Sequence, residues 1–212
     1  MGRGASSFRR REASFVQQPK VLVICEDTTS GKKYLNDAKV HFRANALIDV
    51  ANVGHTDPRG IVEKAIERQA KYDNLYCVID RDTHPTFDEA MRLAGNQPKI
   101  EMIVSYPCFE YWLYLHFKYS RRAYANAKGL SPGQNMLREL KRIKEMAFYE
   151  KGDNLDLFEK LLPRLKDAKD NAIRAEREAA DVGEPNPSTK LHFLLDRFEQ
   201  LGTPKAVGKG KT

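Results

Sequence analysis

The chain has 212 residues, 41% of them hydrophobic and 31% charged, with a formal net charge of +7. That length suits one domain with a substantial core plus a smaller addition, and no run approaches the roughly 20 apolar residues a bilayer span needs. Cys25, Cys77 and Cys108 are odd in number and form no CxxC pair, which argues against a disulfide framework or structural zinc and points to reduced thiols in a cytoplasmic setting.

The opening MGRGASSFRRREASF is rich in Arg and Ser but has no apolar stretch of the kind a secretory signal requires. It also lacks the aliphatic spacing of an amphipathic organellar presequence. The positive charge is localised. Arg3, Arg9, Arg10, Arg11 and Lys20 outnumber Glu12 at one end, and Lys205, Lys209 and Lys211 lie at the other. The 181 residues between hold 28 basic and 28 acidic side chains. Two basic tails, 1–19 and 202–212, are therefore expected around a neutral body. Their charge offers either non-specific attraction to phosphates or simple solubilisation.

Lys20-Val-Leu-Val-Ile-Cys25 is a short apolar run, as in a parallel strand covered on both faces. It ends at the polar turn Glu26–Gly31, and a helix is expected over 32–43. Residues 46–53 read as a second strand interrupted by Asp49. Asp57-Pro58 then opens a helix whose Ile61, Val62, Ala65 and Ile66 share one face. Asn74–Ile79 is the third strand, running into Asp80-Arg81-Asp82. A helix follows over 86–95, a fourth strand over 99–105, and a helix over 107–117 with Pro107 at its first position. Strands alternating with helices argue for βαβ units and a mainly parallel sheet of about four strands, spanning 20–120. After the breaker Gly129-Leu-Ser-Pro-Gly133, helices are expected over 134–149, 155–180 and 188–201, with Pro163 dividing the second. Residues 121–201 thus read as a helical region packed on the sheet.

In open parallel sheets, ligands bind beyond the carboxyl ends of the strands, where strand order reverses. Glu26 follows the first strand, Asp80 and Asp82 close the third, and Glu110 lies in the first turn of the helix after the fourth. If strand geometry persists to residue 82, the two aspartates face one way, roughly 6–7 Å apart. At an effective dielectric near 20 they would repel by about 2–3 kcal/mol. A hard cation such as Mg²⁺ relieves that repulsion, and such a site suits phosphoryl transfer. Glu26 would ligate a second ion or move a proton. Glu110 has two readings, a metal ligand or a carboxylate capping its helix. Arg81, Lys32 and Lys33 are candidates for contacting phosphate, and His55 and His84 for supporting roles. A solvated helix face explains the lysines equally well, and a solvated loop explains the histidines. Cys25 and Cys77 read as small buried strand residues.

The segments Val21-Leu-Val-Ile-Cys-Glu26, Cys77-Val-Ile-Asp-Arg-Asp82, Ser105-Tyr-Pro-Cys-Phe-Glu-Tyr-Trp-Leu-Tyr-Leu-His-Phe117 and Asn186-Pro-Ser-Thr189 together resemble the RloB family over about residues 20–200. That family is similar to the Toprim-bearing proteins of phage-defence and abortive-infection loci. The resemblance implies a Toprim-like, Rossmann-like fold with Glu26 as the acid/base glutamate and Asp80 and Asp82 as the metal pair. It further implies Mg²⁺ (or Mn²⁺), a nucleic-acid substrate cleaved in anti-phage defence, and a partner ATPase of the OLD/ABC type or a homo-oligomer; the lack of a long apolar run adds the expectation of no membrane partner. The family usually reads Cys-Glu-Gly followed by Thr-Glu; this chain has Cys25-Glu26-Asp27 and then Ser30-Gly31. That departure keeps a non-catalytic module, binding nucleic acid or a partner ATPase, as the alternative. Asp80-Arg-Asp-Thr83 also matches the nucleophile loop of haloacid-dehalogenase-like phosphatases, but it follows the third strand rather than the first.

Overall fold

The computed structural model describes residues 18–27, 29–44, 47–52, 54, 57–82, 84–152 and 156–203. The expected tails, apart from a few residues at their inner ends, and His55 lie outside the described residues. Four parallel strands form the sheet: β1 (Val21–Cys25), β2 (Ile48–Ala51), β3 (Asn74–Asp80) and β4 (Ile100–Tyr106). A two-residue β5 (Ser188–Thr189) adds antiparallel to β4, giving the order β2-β1-β3-β4-β5. The sheet is thus mixed α/β and mostly parallel, as expected, with one more strand than the sequence pattern shows. The connection out of β1 goes to one side and that into β3 to the other, so strand order reverses between β1 and β3.

Period-two alternation sorts the side chains into two cores. Val21, Val23 and Cys25 of β1 and Tyr76 of β3 face one layer, whereas Leu22 and Ile24 with Leu75, Cys77 and Ile79 face the other. The second layer is α2 (Pro58–Arg68) and α3 (Phe87–Gly95). The first is thicker and holds α1 (Ser30–His41), α4 (Phe109–Leu115), α5 (Pro132–Leu140), α6 (Leu157–Leu161), α7 (Leu165–Val182) and α8 (Leu191–Gly202). The helices after residue 121 therefore share one core with α1, α4 and β1. Each fully buried Leu, Ile or Val in these layers contributes about 1.5–3 kcal/mol of transfer free energy.

Several boundaries differ from the sequence expectation for identifiable reasons. Pro107 precedes the helix instead of opening it: Cys108 is the extended N-cap and α4 begins at Phe109. The helix expected over 134–149 stops at Leu140, because the chain then turns to bury Ile143, Met146 and Tyr149. Pro163 does divide the long segment, through a 3₁₀ turn over Leu162–Arg164. Gly183 ends α7 at φ 68°, with Glu184 N–H donating to Ala179 O at 3.1 Å, a left-handed cap that favours glycine. Among the described residues no helix is long and apolar enough to cross a membrane.

Candidate metal centre and acidic cleft

The cleft lies at the carboxyl ends of β1 and β3, on either side of the point where strand order reverses. Glu26, Asp80, Asp82, His84, Cys108, Ser131, Gly133 and Lys151 are among its lining, and its volume is about 310 Å³. Sequence distance is large here, and the sheet removes it: Cys25 pairs with Val78 in register, which sets Glu26 beside Asp80.

Glu26 is half-buried and makes two contacts. Oε2 accepts the backbone N–H of Asp80 at 3.0 Å, and Oε1 lies 2.7 Å from Nε2 of His84. Burial pushes its carboxyl above the ordinary range, against the opposing pull of His84 and the Asp80 amide. His84, one of two supporting candidates, is thus a partner of Glu26 rather than a solvated loop residue.

Asp80 is the last residue of β3, and alternation carries it onto the same face as Tyr76. That face looks towards α4, where Glu110 stands. Asp80 is half-buried in the cleft, and burial pushes its carboxyl well above the usual carboxylate range, with Glu110 and Glu26 adding repulsion and Lys151 relieving part of it.

The premise that strand geometry continues to residue 82 is not met, since β3 ends at Asp80 and Asp82 sits in a turn with its N–H donated to Pro107 O at 2.9 Å. The turn nonetheless keeps Asp82 in the cleft. Its carboxylate makes long contacts to Ser131 Oγ at 3.4 Å and to the Gly133 N–H at 3.5 Å. These belong to the first residues of α5, whose dipole favours an anion there. Gly133 is packed closely against it: a Cβ would meet Asp82 Oδ2 at 3.2 Å.

Glu110 is 1% exposed. It does not cap α4, which has no side-chain cap. Its Oε1 instead accepts from Tyr149 Oη at 3.1 Å and pairs with Lys151 Nζ at 3.2 Å. Oε2 is buried with no hydrogen-bond partner among the described residues. Burial works against the Lys151 ammonium, but Glu110, Cys108 and Asp80 outweigh it and hold its pKa above the ordinary lysine value. Burial also raises the Cys108 thiol, with Glu110 and Asp80 adding to the shift. Lys151 and Tyr149 were not foreseen from sequence. The loop that carries them has no periodic signal, and one lysine among many marks nothing until the fold sets it against a buried acid.

Asp27, which follows Glu26 directly, binds the start of α1. Its carboxylate accepts Thr29 N–H at 2.8 Å, Thr29 Oγ1 at 2.6 Å and Gly31 N–H at 2.7 Å, the work of an N-terminal cap. Lys33 on that helix is paired with Asp37 at 2.7 Å, and Lys32 does not line the cleft. Arg81 faces the other layer, 4.6 Å from the centre of the Phe87 ring, beside a second depression shared with Asp82 and Tyr106.

Among the described residues, no group of three or more His, Cys, Asp or Glu side chains is close enough together to hold a metal ion. The donor chemistry still suits Mg²⁺ or Mn²⁺, which use one or two carboxylates and keep several waters. The lining is oxygen-rich, Asp80 is only partly compensated by Lys151, and Glu110 Oε2 is a buried acceptor without a donor among the described residues.

A family model described as RloB-like protein matches residues 21–198. No curated protein and no solved structure matches the chain.

Proposed function

We propose, for a chain that belongs to the RloB-like protein family, that the acidic cleft is a divalent-metal site serving phosphodiester hydrolysis of nucleic acid, in a Toprim-like arrangement. The observation that carries this reading is the meeting of Glu26, Asp80 and Asp82 in one cleft at the carboxyl ends of β1 and β3. Asp80 and Asp82 would hold Mg²⁺ or Mn²⁺, with Glu110 behind them. Such an ion stabilises the negative charge that develops on phosphate oxygens.

The chain's own groups supply the remainder. The Glu26–His84 pair can hold a proton at Oε1 or Nε2, the geometry a general acid/base needs. The Asp80 amide fixes the orientation of Glu26 through Oε2. Lys151, at the rim with 56% of its side chain exposed, can turn from Glu110 towards an incoming phosphate. The defence role, a cytoplasmic setting and an ATPase partner follow as parts of the same proposal, from the family resemblance.

One observation favours a second reading. His84 on Glu26 and Lys151 on Glu110 already give two of the carboxylates protein partners, as a non-catalytic module binding nucleic acid or a partner ATPase would have.

Purified full-length protein incubated with RNA and DNA substrates and Mg²⁺ or Mn²⁺ separates the two. Cleavage abolished by Asp80→Ala and by chelation is the expected result. Wild type and Asp80→Ala equally inert on single- and double-stranded substrates would leave the binding module standing.

A further inference from the structure

A concentration of positive charge in a concave part of the described fold lies outside the acidic cleft. A depression of about 390 Å³ is lined by Arg122, Lys128, Arg138 and Arg142, with Glu139 as its acid and Tyr114 and Tyr124 at its base. Arg142 is paired with Glu139 at 2.7 Å and Arg138 donates to Asn135 Oδ1 at 3.1 Å. Arg122 and Lys128 are exposed and project from the loop that forms the opposite wall.

That wall is held in place. Asn135, buried on α5, directs its Nδ2 at the carbonyls of Ala125, Leu130 and Ser131 at 3.1–3.2 Å. Ala127 and Leu130 exchange backbone hydrogen bonds at 3.0 and 3.1 Å. At the other end, Asn186 Nδ2 donates to Tyr124 O at 2.6 Å and Oδ1 accepts Tyr124 N–H at 3.3 Å. An irregular segment fixed this firmly, with cations on its outer side, has a preorganised binding wall.

The depression is also adjacent to the cleft. Gln134 lines the acidic cleft and Arg138 lines the basic depression. Four residues apart on α5, they are neighbours on one helix face, about 6 Å apart along the axis. A chain of phosphates crossing that face would meet cations on one side and the acidic cleft on the other.

We propose that the Arg122–Lys128–Arg138–Arg142 depression is a binding subsite for the backbone phosphates of single-stranded nucleic acid, the strand presented to the acidic cleft. This rests on the nuclease reading for its orientation but not for the binding itself. The depression is of a size for about one nucleotide unit and lies between two walls, so a flexible single strand can enter it where the rigid cylinder of a duplex cannot.

The test measures binding without cleavage. Full-length protein is titrated against fluorescently labelled single-stranded and duplex oligonucleotides in EDTA over a range of salt concentrations, using wild type, Arg122→Gln/Lys128→Gln and Asp80→Ala. Two lost phosphate contacts should make the log K against log salt slope shallower by about 1.4, and weaken single-strand affinity by about tenfold or more at 0.1 M salt. Both substituted side chains are exposed, so thermal unfolding should be unchanged, and Asp80→Ala, which removes a negative charge and no phosphate contact, should bind no more weakly than wild type. Unchanged affinity and slope in the double variant would overturn the subsite, as would equal or stronger duplex binding lost to the same extent. If no wild-type cleavage is found but the slope falls as stated, the subsite stands and the nuclease reading fails.

Discussion

The carboxylate of Glu26 accepts the backbone N–H of Asp80 at 3.0 Å, joining the ends of the two strands between which strand order reverses. This contact holds the acid/base candidate and the metal candidate in fixed relation, and it sets what each substitution should do. Glu26→Ala removes the acceptor and leaves a half-buried amide unpaired, at a cost of about 1–2 kcal/mol. Glu26→Gln keeps a side-chain oxygen for that amide but cannot exchange a proton with His84 at neutral pH. Melting curves should therefore show Glu26→Ala several degrees below Glu26→Gln, while Mn²⁺-dependent cleavage is lost in both. Equal melting temperatures would mean that the amide contact has no structural weight.

Asp80 is held in an environment that disfavours its charge. Asp80→Asn removes the charge at near-constant shape and should stabilise the fold, raising Tm, while abolishing activity. A site retained at the expense of stability is the expected signature of function. A fall in Tm would instead show that the carboxylate is a structural partner.

Lys151 is the protein's own cation beside Glu110. Lys151→Met leaves that buried carboxylate with Tyr149 alone, and the loss should be about 1–2 kcal/mol, discounted because the ammonium is half in water. Mn²⁺ should then raise the Tm of Lys151→Met more than that of wild type, since the ion has no lysine to compete with. Differential scanning fluorimetry across Mn²⁺ concentrations reads this directly. Identical Mn²⁺ responses would place the ion away from Glu110.

His116 closes α4, with Nδ1 3.0 Å from Trp112 O and Nε2 3.4 Å from Tyr34 Oη. Burial lowers its pKa to about 4. The unfolded chain therefore takes up this proton at a higher pH than the folded one. Stability from the neutral ring is complete above about pH 6.5 and falls as pH drops towards 4, by about 3 kcal/mol at most. Chemical denaturation at several pH values should show that decline, flattened over the same window in His116→Gln.

Sequence alone was informative where one physical rule dominates. The apolar runs of β1 and β3 located the sheet, and their ends located Glu26 and Asp80, because a strand buried on both faces must stop where polar residues begin. The alternation expected to orient Asp80 and Asp82 alike does not reach Asp82, because β3 ends at Asp80. The arrangement after residue 140 was not legible: Lys141–Glu150 carries no glycine or proline, and only the burial of Ile143, Met146 and Tyr149 turns the chain there. β5 has two residues, too few for any pattern. The Glu110–Tyr149–Lys151 contact joins segments about forty residues apart by packing, which no local spacing records.

The most direct measurement is a crystal of the full-length protein soaked in Mn²⁺ and recorded for anomalous scattering. The account predicts a peak in the cleft within ligand or water-bridged reach of Asp80 and Asp82, absent in Asp80→Ala. A fully occupied Mn²⁺ elsewhere with an empty cleft, or an unchanged peak in the variant, would contradict it.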